Sequence, residues 1–176
     1  MSFLLALLLL VAIAVIAGFV LPSQVHVERQ MVIDAPPEKI FPHVSDYGAW
    51  DAWSPWANID PNAKMTVEGE GVGQKMSWAS DHPEVGTGSQ QIVQLDAPRR
   101  MKSRMEFENM GVSDIGFVLE PVEDKTLVTW SLDTDMREGM PLIKQPVSTY
   151  MGFFMDSMVG KSYEKGLATL KSVVEG

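Results

Sequence analysis

The longest uninterrupted pattern in the chain is apolar. From Phe3 to Leu21 the sequence FLLALLLLVAIAVIAGFVL contains no charged or strongly polar side chain. At the helical rise such a run spans roughly 28 Å, close to the hydrocarbon thickness of a bilayer. Pro22 stops it, and Ser23, Gln24, His26, Glu28 and Arg29 return the chain to water. Two other readings compete. A secretory signal peptide has a shorter apolar stretch, a basic start and small residues at its cleavage site. Here Met-Ser precedes the run and Gly-Phe-Val-Leu-Pro closes it. A buried core helix seldom stays apolar on every face. The pattern therefore predicts a single-pass membrane anchor over residues 1–22 and a globular domain over 23–176. Only Arg29 and the terminal amine bear on orientation, which places the domain outside the cytoplasm by a narrow margin.

Beyond the anchor the period changes. Val25, Val27, Met31 and Ile33 alternate with His26, Glu28, Gln30 and Val32, predicting a strand. In Asp34-Ala-Pro-Pro-Glu38 the aspartate suits a helix cap and the prolines a first turn. A short helix should follow with Ile40, Phe41 and Val44 inward, then a second helical piece with Tyr47, Trp50 and Trp53 on one side. Strands are next expected around Met65–Val67, Met76–Ser80, Ile92–Leu95, Met101–Phe107, Ile115–Leu119 and Leu127–Asp133. Met101, Ser103, Met105 and Phe107 standing against Lys102, Arg104, Glu106 and Glu108 give the clearest dry and wet faces. Short turns, among them Glu70-Gly71-Val72-Gly73, Asn109-Met110-Gly111 and Glu123-Asp124-Lys125, favour an antiparallel meander. After Gly139–Pro146 the spacing becomes helical, through Met151, Met155, Met158, Val159, Leu167, Leu170 and Val174. Gly160, Ser162 and Gly166 would let this helix approach a sheet closely. The predicted class is α+β: a bent antiparallel sheet of about seven strands wrapped on a long C-terminal helix.

Composition narrows the chemistry. The formal charge of −9 argues against nucleic acid, which needs a basic face, and against the domain lying flat on anionic lipid. Without cysteine, thiolate chemistry and thiolate metal sites are excluded. The histidines, His26, His43 and His82, fall in different elements with no partner at metal spacing, so neither a metal nor another cofactor is expected. Gly69, Gly71 and Gly73 form a turn between strands and lack the helix that phosphate binding requires. Asp51, Glu68, Asp114 and Asp133 are candidate carboxylates that nothing in the sequence pairs. Twelve methionines and five tryptophans are many for this length. Methionine is flexible and polarisable and suits surfaces that accept varied shapes, although it fills irregular cores equally well.

The segments VERQMVIDAPPEKIFPHVSDYGAWDAWSPW at 27–56, FVLEPVEDKTLVTW at 117–130 and GKSYEKGLATLK at 160–171 resemble the START/polyketide-cyclase superfamily, the SRPBCC or helix-grip fold. The chain looks most like its membrane-anchored bacterial members of the polyketide cyclase/dehydrase and lipid transport type. That resemblance implies a cavity between the concave sheet and the C-terminal helix for a hydrophobic small molecule or lipid. Its walls would be drawn from Met76, Trp78, Met105, Phe107, Phe117, Trp130, Met151, Phe154, Met155 and Met158. Trp50, Trp53 and Trp56 are expected to hold the short helices to the sheet instead. Members of this superfamily include enzymes, carriers and activators of other proteins, so a cyclase or hydratase using a pocket carboxylate or histidine, and an acidic interaction module with a filled interior, stay open beside the binding reading.

Overall fold

A computed structural model describes residues 2–108 and 111–176. Helix α1 (Ser2–Val20) leads into strand β1 (Gln24–Ile33), helix α2 (Pro37–Ser45) and a 3-10 turn at Tyr47–Ala52. Strands β2 (Lys64–Glu68), β3 (Lys75–Ala79), β4 (Thr87–Asp96), β5 (Arg100–Phe107), β6 (Gly111–Val122) and β7 (Lys125–Asp135) follow, and helix α3 (Gln145–Glu175) ends the chain. The predicted turn residues Asn109 and Met110 lie outside the described residues.

All neighbouring strands are antiparallel, in the order β1-β7-β6-β5-β4-β3-β2. Strands β2 to β7 form the expected meander, and β1 joins it by pairing with β7. The α2 segment and the 3-10 turn therefore carry the chain from one edge of the sheet to the other. A register shift between Ile92 and Gln94 adds a bend to β4. The inner face presents Val27, Ile33, Ile92, Met101, Ile115, Phe117, Leu119, Val128, Trp130 and Leu132, all buried. Against it pack Ile40, Phe41 and Val44 of α2, as their spacing predicts, with Tyr47, Trp50 and Trp53. This is the helix-grip arrangement of the α+β class.

Three local expectations change. Asp34 does not cap α2: the helix starts later, at Pro37, with no side-chain cap. The Asp34 carboxylate instead faces Lys125 at 3.7 Å, while its N–H donates to Glu175. Arg29, read as part of the polar exit from the anchor, occupies an inward position of β1 under α3. Its guanidinium donates to Glu164 at 2.7 Å and to Asp156 at 2.9 Å. The third change concerns α3. Its buried side runs through Thr149, Gly152, Gly160, Tyr163, Gly166, Leu167, Leu170 and Val174, whereas Met151 and Met158 point away from the core. The glycines explain the choice. A methyl group at Gly160 would collide with the Arg29 guanidinium, and one at Gly166 would fall 2.8 Å from Trp130 and 2.9 Å from Pro55. Small residues, rather than the methionine stripe, select the face that meets the sheet.

Candidate functional site

The space between sheet and α3 is built around Trp130 of β7. Its ring stacks on Tyr163 of α3 at 3.8 Å with 9° between planes, and on Phe117 of β6 at 4.9 Å. Trp50, Trp53 and Trp56 meet it edge-on at 6.2, 5.3 and 6.0 Å. Trp50 and Trp53 also tie the 3-10 turn to α2, donating their indole N–H groups to the carbonyls of Val44 and His43. Their rings also pack on Phe117 and Trp130 of the sheet, as expected of residues that hold the short helices to it. Among the described residues Trp130 Nε1 has no hydrogen-bond partner although the residue is 1 % exposed.

A second wall lies on β3, β4 and β5. Met76 and Trp78 are buried, with Trp78 against Phe107 at 5.3 Å and donating to the Val85 carbonyl. Between the walls sits a small polar group. Gln90 donates to Ser103 at 2.7 Å, and both are buried. The Tyr47 hydroxyl lies beside them without a well-formed hydrogen bond to either. Burial pushes the Tyr47 phenol well above its ordinary value, with Ser103 and Gln90 pulling weakly the other way. Burial raises the Tyr163 phenol as well. In both cases burial disfavours the phenolate, so each ring keeps its hydroxyl proton. Among the described residues no carboxylate, histidine, lysine or arginine is buried in this interior.

The residues expected to line a cavity thus divide into three sets. Met76, Trp78, Phe117 and Trp130 are buried in the packed interior. Met105, Phe107 and Met155 are partly buried against it. Met151, Phe154 and Met158 are exposed on the outer side of α3. Aromatic rings pack the interior, and two concavities lie outside it. One, of about 420 Å³, is lined by His26, Arg104, Asp114, Asp133, Asp135 and Glu138 among others. The other, of about 360 Å³, lies between the ends of β5 and β6 and the segment Gly139–Lys144.

The first concavity holds a feature that inspection of the sequence missed. His26, Asp133, Asp114 and Arg104 are successive cross-strand neighbours on β1, β7, β6 and β5. His26 Nδ1 and Asp133 Oδ1 are 2.7 Å apart, and Arg104 reaches Glu138 at 3.1 Å and Asp114 at 3.8 Å. The hydrogen bond with Asp133 is the main reason the His26 pKa is raised. Each residue sits at a polar phase of its strand, but only the register brings the four into one row. Asp51 and Glu68, the other candidate carboxylates, are exposed elsewhere. Among the described residues no group of three or more His, Asp or Glu is placed to hold a metal ion.

A bent meander closed by its first strand and gripped over a C-terminal helix defines the helix-grip class. Within it, the chain belongs to the polyketide cyclase/dehydrase and lipid transport family, whose profile matches residues 24–175. Solved structures agree on the fold. The Zhui aromatase/cyclase from Streptomyces superposes with a TM-score of 0.65 at 17 % identity, covering 86 % of this chain and 94 % of that one. A protein from Thermobifida fusca gives 0.62 at 16 % identity, over 85 % and 92 %. No curated protein is significantly similar to this chain in sequence.

Proposed function

We propose that this chain is a membrane-tethered binding protein for a hydrophobic small molecule or lipid, taken up between the sheet and α3. The observation that carries the reading is Trp130 Nε1, buried with no hydrogen-bond partner among the described residues in a core of aromatic rings and methionines, while the Tyr47 hydroxyl is poorly satisfied beside Gln90 and Ser103. Leaving a buried donor unpaired costs about 1–3 kcal/mol. A ligand bearing a carbonyl or hydroxyl oxygen would supply the missing acceptor while its apolar body replaces methionine contacts. Room comes from Met76, Met105 and Met155, whose unbranched side chains rearrange at little cost. Met105, Phe107 and Met155, partly buried against the core, would form the entrance through which such a ligand reaches the buried wall. The family's own description, spanning cyclases and lipid transport, supports a hydrophobic cargo. Among the described residues the interior holds no buried carboxylate or imidazole, which favours carriage over acid–base chemistry.

Full-length protein purified in a mild detergent and extracted with organic solvent should yield a hydrophobic molecule near one per chain by mass spectrometry. Met105→Trp should fill the entrance and abolish that yield with little change in melting temperature. If wild-type protein carries nothing, and a fluorescent fatty acid fails to perturb its tryptophan emission, the proposal is wrong.

A further inference from the structure

The outer side of α3 changes character along its length. Val147, Met151, Phe154 and Met158, spaced by four, three and four, face directly away from the core. Continuing along the same line, Lys161, Lys165, Thr169 and Ser172 replace them. Leu142 and Ile143 precede the helix, and Phe153 flanks it. Each of these seven apolar residues exposes half or more of its surface. From Val147 to Met158 the apolar stretch is about 17 Å long. A contiguous apolar surface of this size marks something that covers it.

What covers it is indicated by α1. The end of α1 is docked on the start of α3. Pro146 sits against Gly18 so closely that a methyl group there would fall 2.6 Å from its Cβ. Arg137 donates to the carbonyls of Gly18 and Leu21 and to the Thr149 hydroxyl, clamping the end of α1 to the domain. The Tyr150 hydroxyl donates to the Ala14 carbonyl at 2.7 Å. Ala14 lies roughly 9 Å inside the end of α1, at 1.5 Å per residue. The charge-free helix α1, with only 6 % of the residues from Phe3 to Val20 buried, therefore continues into the apolar side of α3.

We infer that residues 142–158 form a second membrane contact, an interfacial half-helix lying in the bilayer surface beside the α1 span. The inference rests on α1 crossing the membrane, as in the proposed function. Its occupant is lipid: whatever solvates α1 must also reach Tyr150 and the side chains one turn beyond it. Lys161 and Lys165 come next along the same side, where the ammonium groups meet headgroups and end the buried stretch. The entrance at Met105, Phe107 and Met155 would then open at the bilayer surface rather than into bulk water.

The absence of cysteine makes a direct test available. Single cysteines introduced as Ile13→Cys, Val147→Cys, Phe154→Cys and Lys165→Cys in the full chain would carry an environment-sensitive fluorophore. The labelled proteins are reconstituted into phosphatidylcholine vesicles with and without spin-labelled lipid. Quenching by that lipid should be several-fold stronger at 147 and 154 than at 165, and comparable in kind to that at 13. Strong quenching at 13 with none above the 165 level at 147 and 154 overturns the inference and leaves the anchor intact. Quenching absent even at 13 removes the anchor, and the inference with it. A label at 154 that is shielded from water but untouched by lipid assigns the surface to a protein contact, which also overturns it.

Discussion

Arg29 shows how much one side chain can decide. It stands at an inward position of β1 yet remains a quarter exposed, with Asp156 and Glu164 on either side and the bare backbone of Gly160 beneath it. The guanidinium holds the Asp156 carboxyl below its ordinary value. Gly160→Ala would displace the guanidinium from both carboxylates. Gly166 has less latitude, because its neighbours are an indole and a proline ring. We expect Gly166→Ala to lose about 1–3 kcal/mol of stability through overpacking, exceeding the gain of about 1 kcal/mol in helix propensity, as measured by thermal unfolding in detergent. His26 offers a test with a defined sign. Its folded pKa is raised above 6.5, mainly by the hydrogen bond with Asp133. Its contribution is therefore fully present below the unfolded value and is lost as pH rises through the folded one. Because both partners are exposed, the effect should stay within about 1 kcal/mol. The melting temperature of His26→Gln should fall below wild type at pH 5.5 and converge with it by pH 8. A difference independent of pH would refute the assignment.

Among the elements, α3 has two jobs divided along its length. Its C-terminal half closes the core through Tyr163, Leu167, Leu170 and Val174. Its N-terminal half receives α1 and leaves an apolar side open. The junction with α1 depends on Gly18, Arg137 and Tyr150, none of which belongs to the core. Arg137→Ala should thus leave the melting temperature nearly unchanged while speeding amide hydrogen exchange over residues 17–22, since the last carbonyls of α1 lose their donor. Unchanged exchange there would show that Pro146 alone fixes the junction. The 3-10 turn after α2 serves the core instead, since its tryptophans fill the grip and satisfy the end of α2.

At the scale of the molecule, an acidic domain is joined to an apolar helix through close packing at Gly18 and hydrogen bonds from Arg137 and Tyr150. Full-length protein should remain in the membrane pellet after an alkaline carbonate wash, and a form lacking residues 1–22 should be extracted by the same wash. Retention of the truncated form would mean that the surface of α3 alone suffices for stable attachment. With a formal charge of −9, that weaker attachment should be poorer on anionic than on zwitterionic vesicles.

Much of this was legible in the sequence, because the relevant signals are local. The apolar run from Phe3 to Leu21 is a property of consecutive side chains, and its helical form needs no partner to predict. Most strands announced themselves by alternation, and α2 by the spacing of Ile40, Phe41 and Val44, whereas of β4 only Ile92–Leu95 was legible. What depended on tertiary structure was every choice between two faces and every pairing across distance. The face of α3 that turns inward was set by contacts of Gly160 and Gly166 with Arg29 and Trp130, which hydropathy does not weigh. The row from His26 to Arg104 exists only once four strands take their register. Whether the apolar side of α3 is a flaw or a membrane contact turns on where α1 ends, more than a hundred residues earlier in the chain. Periodicity reports how a segment divides its own surface; only packing decides what each part of that surface meets.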